Sequence, residues 1–309
     1  MNSSIEKHGP ANGRELYDCI VIGAGPAGLS ASLFLARYLR RTLTFHHNSP
    51  RNEYSHGVHG FLGHDGIRPH ELLARGRDEV ASYGGLIIEA CVTAVEAVSP
   101  EHFRVSVGAD ERVFEARRLL LATGLRDLTP TCPGFREFYG SSVFHCPDCD
   151  GYEVRDKRVA ILAHGDNAVG FTKNILTWTR HVTLLTDQHE TSNLDSLDVA
   201  VRSERVTALE GDTSASQLQQ VLFAEGEPLE CDALFFNLGT ELATDFHEKL
   251  GCRLDPECGL LWVDERQQTS IEGVYAAGDI TPQSQLAVVA AAEGAMAAIH
   301  IHRSLIAAD

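Results

Sequence analysis

The sequence predicts an α/β fold of two nucleotide-binding-type, three-layer domains, the second inserted into the first. Three observations predict it. A strand, glycine turn, helix and strand follow one another from Tyr17, the same pattern restarts at Lys157, and a last strand with an alanine-rich helix comes after the second pattern has closed. The boundaries placed on the 309 residues are 1–128 for the first part of the outer domain, 129–241 for the insert and 242–309 for the return.

The first unit is built from short-range signals. Residues 17–22, Tyr-Asp-Cys-Ile-Val-Ile, form an apolar run expected of a buried parallel strand. Residues 23–28 make a tight turn, and residues 29–40 a helix helped by Ala31 and Ala36. Residues 43–46 supply the next strand and close a βαβ unit. A loop rich in glycine and histidine fills 49–68, and Pro69 opens a helix towards Ser82. Strands are expected over 87–97, 102–107 and 117–122, the last entering Thr123-Gly124. Pro130, Pro133 and Gly134 mark the crossing into the insert.

The insert repeats the plan. Residues 157–162 form a strand, 163–168 a turn, 169–179 a helix and 181–185 a strand. Weaker strand patterns follow at 201–209 and 220–223, then a clearer one at 233–236 before Gly239. The return holds a strand over 274–277, then Gly278-Asp279, and a long helix over 285–305.

Composition narrows the function classes. A formal net charge of -17 opposes nucleic acid or an anionic membrane as partner. No apolar run reaches the length of a membrane span, and residues 1–16 lack the apolar core of a secretory signal, so a cytoplasmic protein is expected. Eight cysteines over this length are too sparse for a disulfide scaffold.

Two motifs carry chemistry. Gly23-Ala24-Gly25-Pro26-Ala27-Gly28 fits the dinucleotide pattern in its required strand–turn–helix setting. Gly23 permits the turn, Gly25 lets a pyrophosphate approach the backbone, and Gly28 allows close packing of helix on strand. The carboxylate that would hold an NAD ribose is not found after the second strand, where Phe45, His46 and His47 stand. The other motif is His145-Cys146-Pro147-Asp148-Cys149-Asp150-Gly151. Its spacing allows a disulfide to close, and exchange needs one thiol to attack and its neighbour to resolve. Asp150 is the nearest group for the proton, with His145 as the alternative. The same pair also fits half of a zinc site completed by His145 or Cys132, although no second close pair exists. No metal site is assigned.

In order and spacing, Gly23 to Gly28, Leu121-Ala122-Thr123-Gly124, the C-x-x-C segment, and Ala276-Ala277-Gly278-Asp279 with Gln285 and its helix resemble the low-molecular-weight thioredoxin reductase family over nearly the whole chain. The resemblance implies a homodimeric FAD-dependent disulfide oxidoreductase with FAD in the outer domain, one per chain, and NADPH in the insert. It implies that Cys149 faces the flavin, that Cys146 attacks the substrate, and that Asp150 handles the proton. It assigns FAD to Gly23, Gly25, Pro26, Ala27, Gly28, Arg51, Asn52, Val92, Thr123, Gly124, Gly278, Asp279, Gln285 and Leu286. The implied substrate is a disulfide or dithiol, either thioredoxin or a small molecule.

The second turn departs from that pattern. Ala163 replaces the tight-turn glycine, and His164 crowds the pyrophosphate approach. After the next strand, Thr186-Asp187-Gln188-His189-Glu190 offers no arginine pair for a 2'-phosphate and two carboxylates that repel one. Ordinary NADPH use is therefore not expected. Branches of the family with this character use ferredoxin, a second FAD in the vacated site, or oxygen with small dithiols.

The remaining signals are read as structural. His46, His47, His56, His59, His64 and His70 lie around a glycine-rich loop and are taken as polar loop or flavin contacts rather than metal ligands. Trp178 and Trp262 are assigned to packing, and the aromatics Phe135, Phe138, Tyr139 and Phe144 fit a substrate- or flavin-facing surface and plain burial equally well. Cys19, Cys91 and Cys231 are expected to be buried and inert, and an accessory disulfide between Cys252 and Cys258 is not expected.

Overall fold

The computed structural model describes residues 16–110 and 112–308. Nearly all of the leader-like stretch weighed above, residues 1–15, lies outside them. By internal contacts the chain divides into two compact units, one of residues 1–51, 70–126 and 242–309, the other of residues 52–69 and 127–241. The crossing comes two residues before the expected 128, and the histidine-rich loop groups with the insert.

The chain order begins β1 (Leu16–Ile22), α1 (Pro26–Arg37), β2 (Thr42–His46), α2 (Pro69–Ser82), β3 (Leu86–Glu89), β4 (Val92–Ser99), β5 (His102–Val107) and β6 (Arg112–Leu121). It continues through β7 (Leu125–Asp127), α3 (Phe135–Phe138), β8 (Val143–Phe144), α4 (Pro147–Asp150), β9 (Val159–Ala163), α5 (Asn167–Ile175), β10 (Val182–Leu185) and β11 (Ala200–Arg202). The last elements are β12 (Val206–Asp212), β13 (Gln217–Phe223), β14 (Leu229–Glu230), β15 (Ala233–Asn237), β16 (Thr240–Leu242), α6 (Phe246–Leu250), β17 (Val274–Ala276) and α7 (Ala287–Ala308).

In the first unit the sheet runs β3-β2-β1-β6-β5-β4, with β17 also on β6. Strand β6 is long enough to serve three neighbours. Its residues 115–121 pair in parallel with β1, residues 112–116 pair with antiparallel β5, and residues 119–121 pair in parallel with β17. Alternation sorts the side chains between two cores. Leu119, Leu121, Val274 and Ala276 enter the core shared with the β4–β5 meander, while Leu120, Tyr275, Cys19 and Val21 face α1 and α7. Those two helices approach closely because both are small where they meet. A Cβ at Gly294 would lie 2.0 Å from the Ala27 carbonyl oxygen.

The second unit has a parallel sheet, β11-β10-β9-β15-β8, and a separate antiparallel sheet, β12-β13-β14. Ala160, Leu162, Leu234 and Phe236 pack against the antiparallel sheet, and Ile161, Ala163, Ala233 and Phe235 pack against α5.

Several boundaries differ from the sequence reading for local reasons. Helix α1 starts at Pro26, because proline at the first position already has helical φ and owes no hydrogen bond. The strand expected over 87–97 is two strands, parallel β3 and antiparallel β4, separated at Ala90, whose N–H donates to the His46 carbonyl. The strand expected over 201–209 is likewise divided between the two sheets of its unit. Helix α5 ends at Ile175 rather than 179, and Thr179 uses its hydroxyl on the Lys157 carbonyl instead. Helix α7 spans 287–308, beginning and ending later than expected. No described helix is long and apolar enough to cross a membrane.

Candidate functional site

In the first unit the candidate cofactor residues follow the carboxyl ends of three adjacent parallel strands, the place where such sheets bind nucleotides. Gly23 follows β1, Thr123 and Gly124 follow β6, and Gly278 and Asp279 follow β17. Gly23 and Gly28 are needed for packing within the protein. A Cβ at Gly23 would lie 2.0 Å from the Ala122 carbonyl oxygen, and one at Gly28 would lie 1.9 Å from that of Gly23. Gly25 is different. Its φ of -73° suits any residue, and a Cβ there would meet nothing within 4 Å. This glycine leaves open space at the amino end of α1, where no side chain caps the first turn and no acidic residue occupies it. Free helical N–H groups and the positive end of the helix dipole fit a pyrophosphate there.

The structure brings Arg51, Asp279 and Gln285 together. Arg51 Nη1 donates to Asp279 Oδ2 at 3.0 Å and to Gln285 Oε1 at 2.6 Å, from positions more than two hundred residues away in sequence. Leu286 begins the approach to α7, where its carbonyl accepts from Ala290. Val92 opens β4 and is half-buried against the meander core. Asn52 groups with the other unit, and its carbonyl accepts from Ser55. At the end of β2 the half-buried His46 stands where an NAD-type ribose acid would, held below the ordinary histidine range by burial and Arg77.

The cysteine pair forms the start of a one-turn helix. Cys146 is its N-cap, Pro147 its first residue, and the Cys149 N–H donates to Cys146 Sγ at 3.1 Å. The two sulfurs are joined as a disulfide. Gly151 ends the turn where a Cβ would lie 2.6 Å from both the Pro147 carbonyl oxygen and the Trp178 ring, so Trp178 is packing behind the motif. Asp150 is half-buried beside it. Burial pushes its carboxyl up to about 7, Glu153 reinforces the shift, and His59 opposes it. A carboxyl poised there can both give and take a proton near neutral pH. His59 itself lies 3.8 Å from Glu153 and 3.7 Å from Asp65. The alternative proton carrier, His145, is engaged elsewhere: Nδ1 is 3.2 Å from the Tyr139 hydroxyl and Nε2 is 3.8 Å from Asp127.

The second glycine turn has a different occupant. Ala163 ends β9 fully buried, and the His164 ring stacks on His189 with centroids 4.0 Å apart. Burial and the neighbouring His189 hold His164 below the ordinary histidine range, which keeps it neutral. Asp187, just past β10, accepts from the Val206 N–H at 2.7 Å with one carboxylate oxygen.

Of the aromatics ahead of the cysteine pair, Phe135, Phe138 and Phe144 are buried in the second unit's cores. Cys19 and Cys231 are buried and their thiols are held well up by burial, but Cys91 is exposed, because it stands in the gap between β3 and β4 rather than inside a strand. Cys252 and Cys258 are both free thiols. Among the described residues no three His, Cys, Asp or Glu side chains converge as metal ligands. The sequence reading missed His59 and Glu153 beside Asp150, and Glu293 behind Gly278. Glu293 had a visible signal, a lone carboxylate on the stripe made by Ala290, Gly294 and Ala297.

Two α/β units, an open glycine turn at a helix amino end, and a C-x-x-C disulfide beside a carboxyl pushed up to about 7 are the features of the class of flavin-linked disulfide oxidoreductases. Residues 17–294 match the pyridine nucleotide-disulphide oxidoreductase family, and the chain belongs to it as a thioredoxin reductase-like, FAD-dependent enzyme. It is 30% identical to the thioredoxin reductase of Treponema pallidum, over 91% of this chain and 95% of that one. It is similar in structure to HlmI, with a TM-score of 0.88, 32% identity, and coverage of 94% and 93%. An oxidoreductase from Agrobacterium tumefaciens superimposes with a TM-score of 0.85 at 30% identity, over 96% of this chain and all of that one.

Proposed function

We propose that this enzyme exchanges electrons between FAD and a dithiol or disulfide substrate through Cys146 and Cys149, without drawing them from NADPH in the ordinary way. The observation that carries the reading is the His164–His189 stack at the turn after β9, where a bulky ring replaces the small residue that the approach of a nicotinamide nucleotide's pyrophosphate favours. The absence of a basic pair in the Thr186-Asp187-Gln188-His189-Glu190 segment supports it.

One FAD per chain is held by the Gly25 opening, Arg51, Gly278, Asp279 and Gln285, and when bound it supplies two-electron redox chemistry. The chain's own residues handle the thiols. A substrate thiolate attacks Cys146 Sγ, the bond to Cys149 breaks, and its electron pair stays on Cys149. The second substrate thiolate then displaces Cys146, closing the substrate disulfide and leaving the enzyme pair reduced by two electrons. Asp150 takes up a thiol proton in this direction and returns one in the reverse direction. The electron partner on the far side is a second flavin in the degenerate site, a redox protein such as ferredoxin, or oxygen. The substrate is thioredoxin or a small dithiol, and the working assembly is a cytoplasmic homodimer. The shared likeness to proteins named thioredoxin reductase supports a second reading, NADPH-dependent reduction of thioredoxin.

Anaerobic mixing with micromolar NADPH separates the two. The flavin is expected to stay oxidised with NADPH and to bleach on addition of a dithiol; rapid bleaching by NADPH alone would establish the second reading. The flavin-to-polypeptide ratio then decides whether the degenerate site holds a second FAD.

A further inference from the structure

Helix α7 places one carboxyl group directly behind the proposed cofactor turn. Glu293 is 6% exposed, and its Oε2 accepts from the Gly278 N–H at 2.7 Å. Both of its oxygens lie 2.9 Å from the Thr281 hydroxyl, which itself lies 3.0 Å from the Gly278 carbonyl. Gly278 has a φ of +85°, and a Cβ there would press to 2.9 Å against that of Ala27, so the turn is fixed between α1 and Glu293. Asp279, the next residue, points the other way into its pair with Arg51. The geometry assigns Glu293 as a positioning residue for the cofactor: it holds the Gly278-Asp279 turn from behind so that Asp279 and Arg51 stand ready for FAD. This rests on the FAD assignment of that turn.

The surroundings of Glu293 favour its acid form more than water does. A second carboxylate bonded to the same turn would add negative charge beside Asp279 and an anionic cofactor. Burial raises the Glu293 carboxyl above its usual range and Asp279 raises it further, against the hydrogen bonds from Gly278, Thr281 and Gln267; Asp279, itself paired with Arg51, is the charged group that acts on it. In the acid form each proton has its own acceptor: the carboxyl proton goes to Thr281 Oγ1, the Thr281 proton to the Gly278 carbonyl, and the Gly278 N–H to Oε2. Loss of that proton as pH rises through this raised range places a charge in the turn and weakens its hold on FAD.

The test is the rate of FAD release from the purified holoenzyme, followed by the rise in free-flavin fluorescence across a pH series. Glu293→Gln keeps an acceptor for Gly278 and a donor for Thr281, and it should release FAD as slowly as wild type at the acid end of the series. It should also lack the acceleration that wild type shows as pH rises and Glu293 ionises. Glu293→Ala should release FAD faster by on the order of ten-fold at every pH, the worth of one buried hydrogen-bonding group. Should that variant not fold, Thr281→Val, which removes only the bridging hydroxyl, should accelerate release in the same direction by a smaller factor. Retention equal to wild type in both Glu293→Ala and Thr281→Val would overturn the assignment, as would a dependence on pH in Glu293→Gln matching that of wild type. Those results leave FAD bound and the functional reading intact, whereas a polypeptide purified without any flavin would sink both.

Discussion

The two strand–turn–helix units of this chain start from the same plan and end with different contents. Both turns lead into a helix with no side-chain cap, and a Cβ at Gly25 or at its counterpart Gly165 would meet nothing within 4 Å. But Gly25 has a φ of -73° and Gly165 one of +70°, the buried Ala163 replaces the tight-turn Gly23, and the His164 ring stacks on His189. The lesson is that parallel pairing and apolar alternation hold this topology together whatever fills the turn. Open space at the second glycine is common to both turns, so what distinguishes them is the residue beside it, Ala24 in one and His164 in the other. Gly23 and Gly28 are required by the protein's own backbone.

Three substitutions test this contrast, beginning with the largest expected effect. Asp150→Asn in the second unit should slow thiol turnover by about 10²- to 10⁴-fold, the usual worth of a positioned acid or base, while leaving FAD content unchanged. The pH dependence of its stability follows from the sign of the shift. The folded carboxyl titrates at about 7, above its unfolded value, so the proton it holds stabilises the fold below the ordinary carboxylate range and that contribution is lost as pH rises through about 7. Chemical denaturation of Asp150→Asn across this window should show a flatter decline. A turnover rate within a few-fold of wild type would hand the proton role to another group.

Next in size, Gly25→Val in the first unit should weaken FAD binding on the order of 100-fold, equivalent to two lost hydrogen bonds to a charged group at ~1.5 kcal/mol each. Its circular dichroism should match wild type, since a Cβ at this position meets no protein atom within 4 Å. Full FAD occupancy in this variant would break the comparison at its root. The matching change in the second unit, His164→Ala, should leave FAD content untouched and produce the smallest effect of the three. His164 titrates below the unfolded histidine value of about 6.5, so wild type loses stability as pH falls through that range and the variant should lose less. Equal slopes for the two proteins between neutral and acidic pH would show that the stacked pair carries no such strain.

Much of this was legible in the sequence because it rests on short spacing. The glycine turn, the Cys146–Cys149 pair and both βαβ units are encoded within a few tens of residues, and the inserted order of the units follows from the strand at Val274. Other features depend on residues that only folding brings together. Arg51 meets Asp279 and Gln285 across the length of the chain, and His59 reaches Glu153 from a loop whose glycines carried no periodic signal. Cys91 was misjudged because apolar neighbours on both sides look the same in a continuous strand and in a two-residue gap between strands. His189 offered nothing to distinguish it from a loop histidine until its ring was found against His164.

The close approach of Gly294 to Ala27 has a consequence for how the protein is made. The glycine turn at residues 23–28 leaves the ribosome long before the helix that presses on Ala27 and carries Glu293. Until α7 emerges and docks, neither the turn after β1 nor the one after β17 is backed by its partner. On the assignment of FAD to these turns, its loading has to wait until α7 has emerged and docked, and a chain cut short before residue 287 would lack that backing.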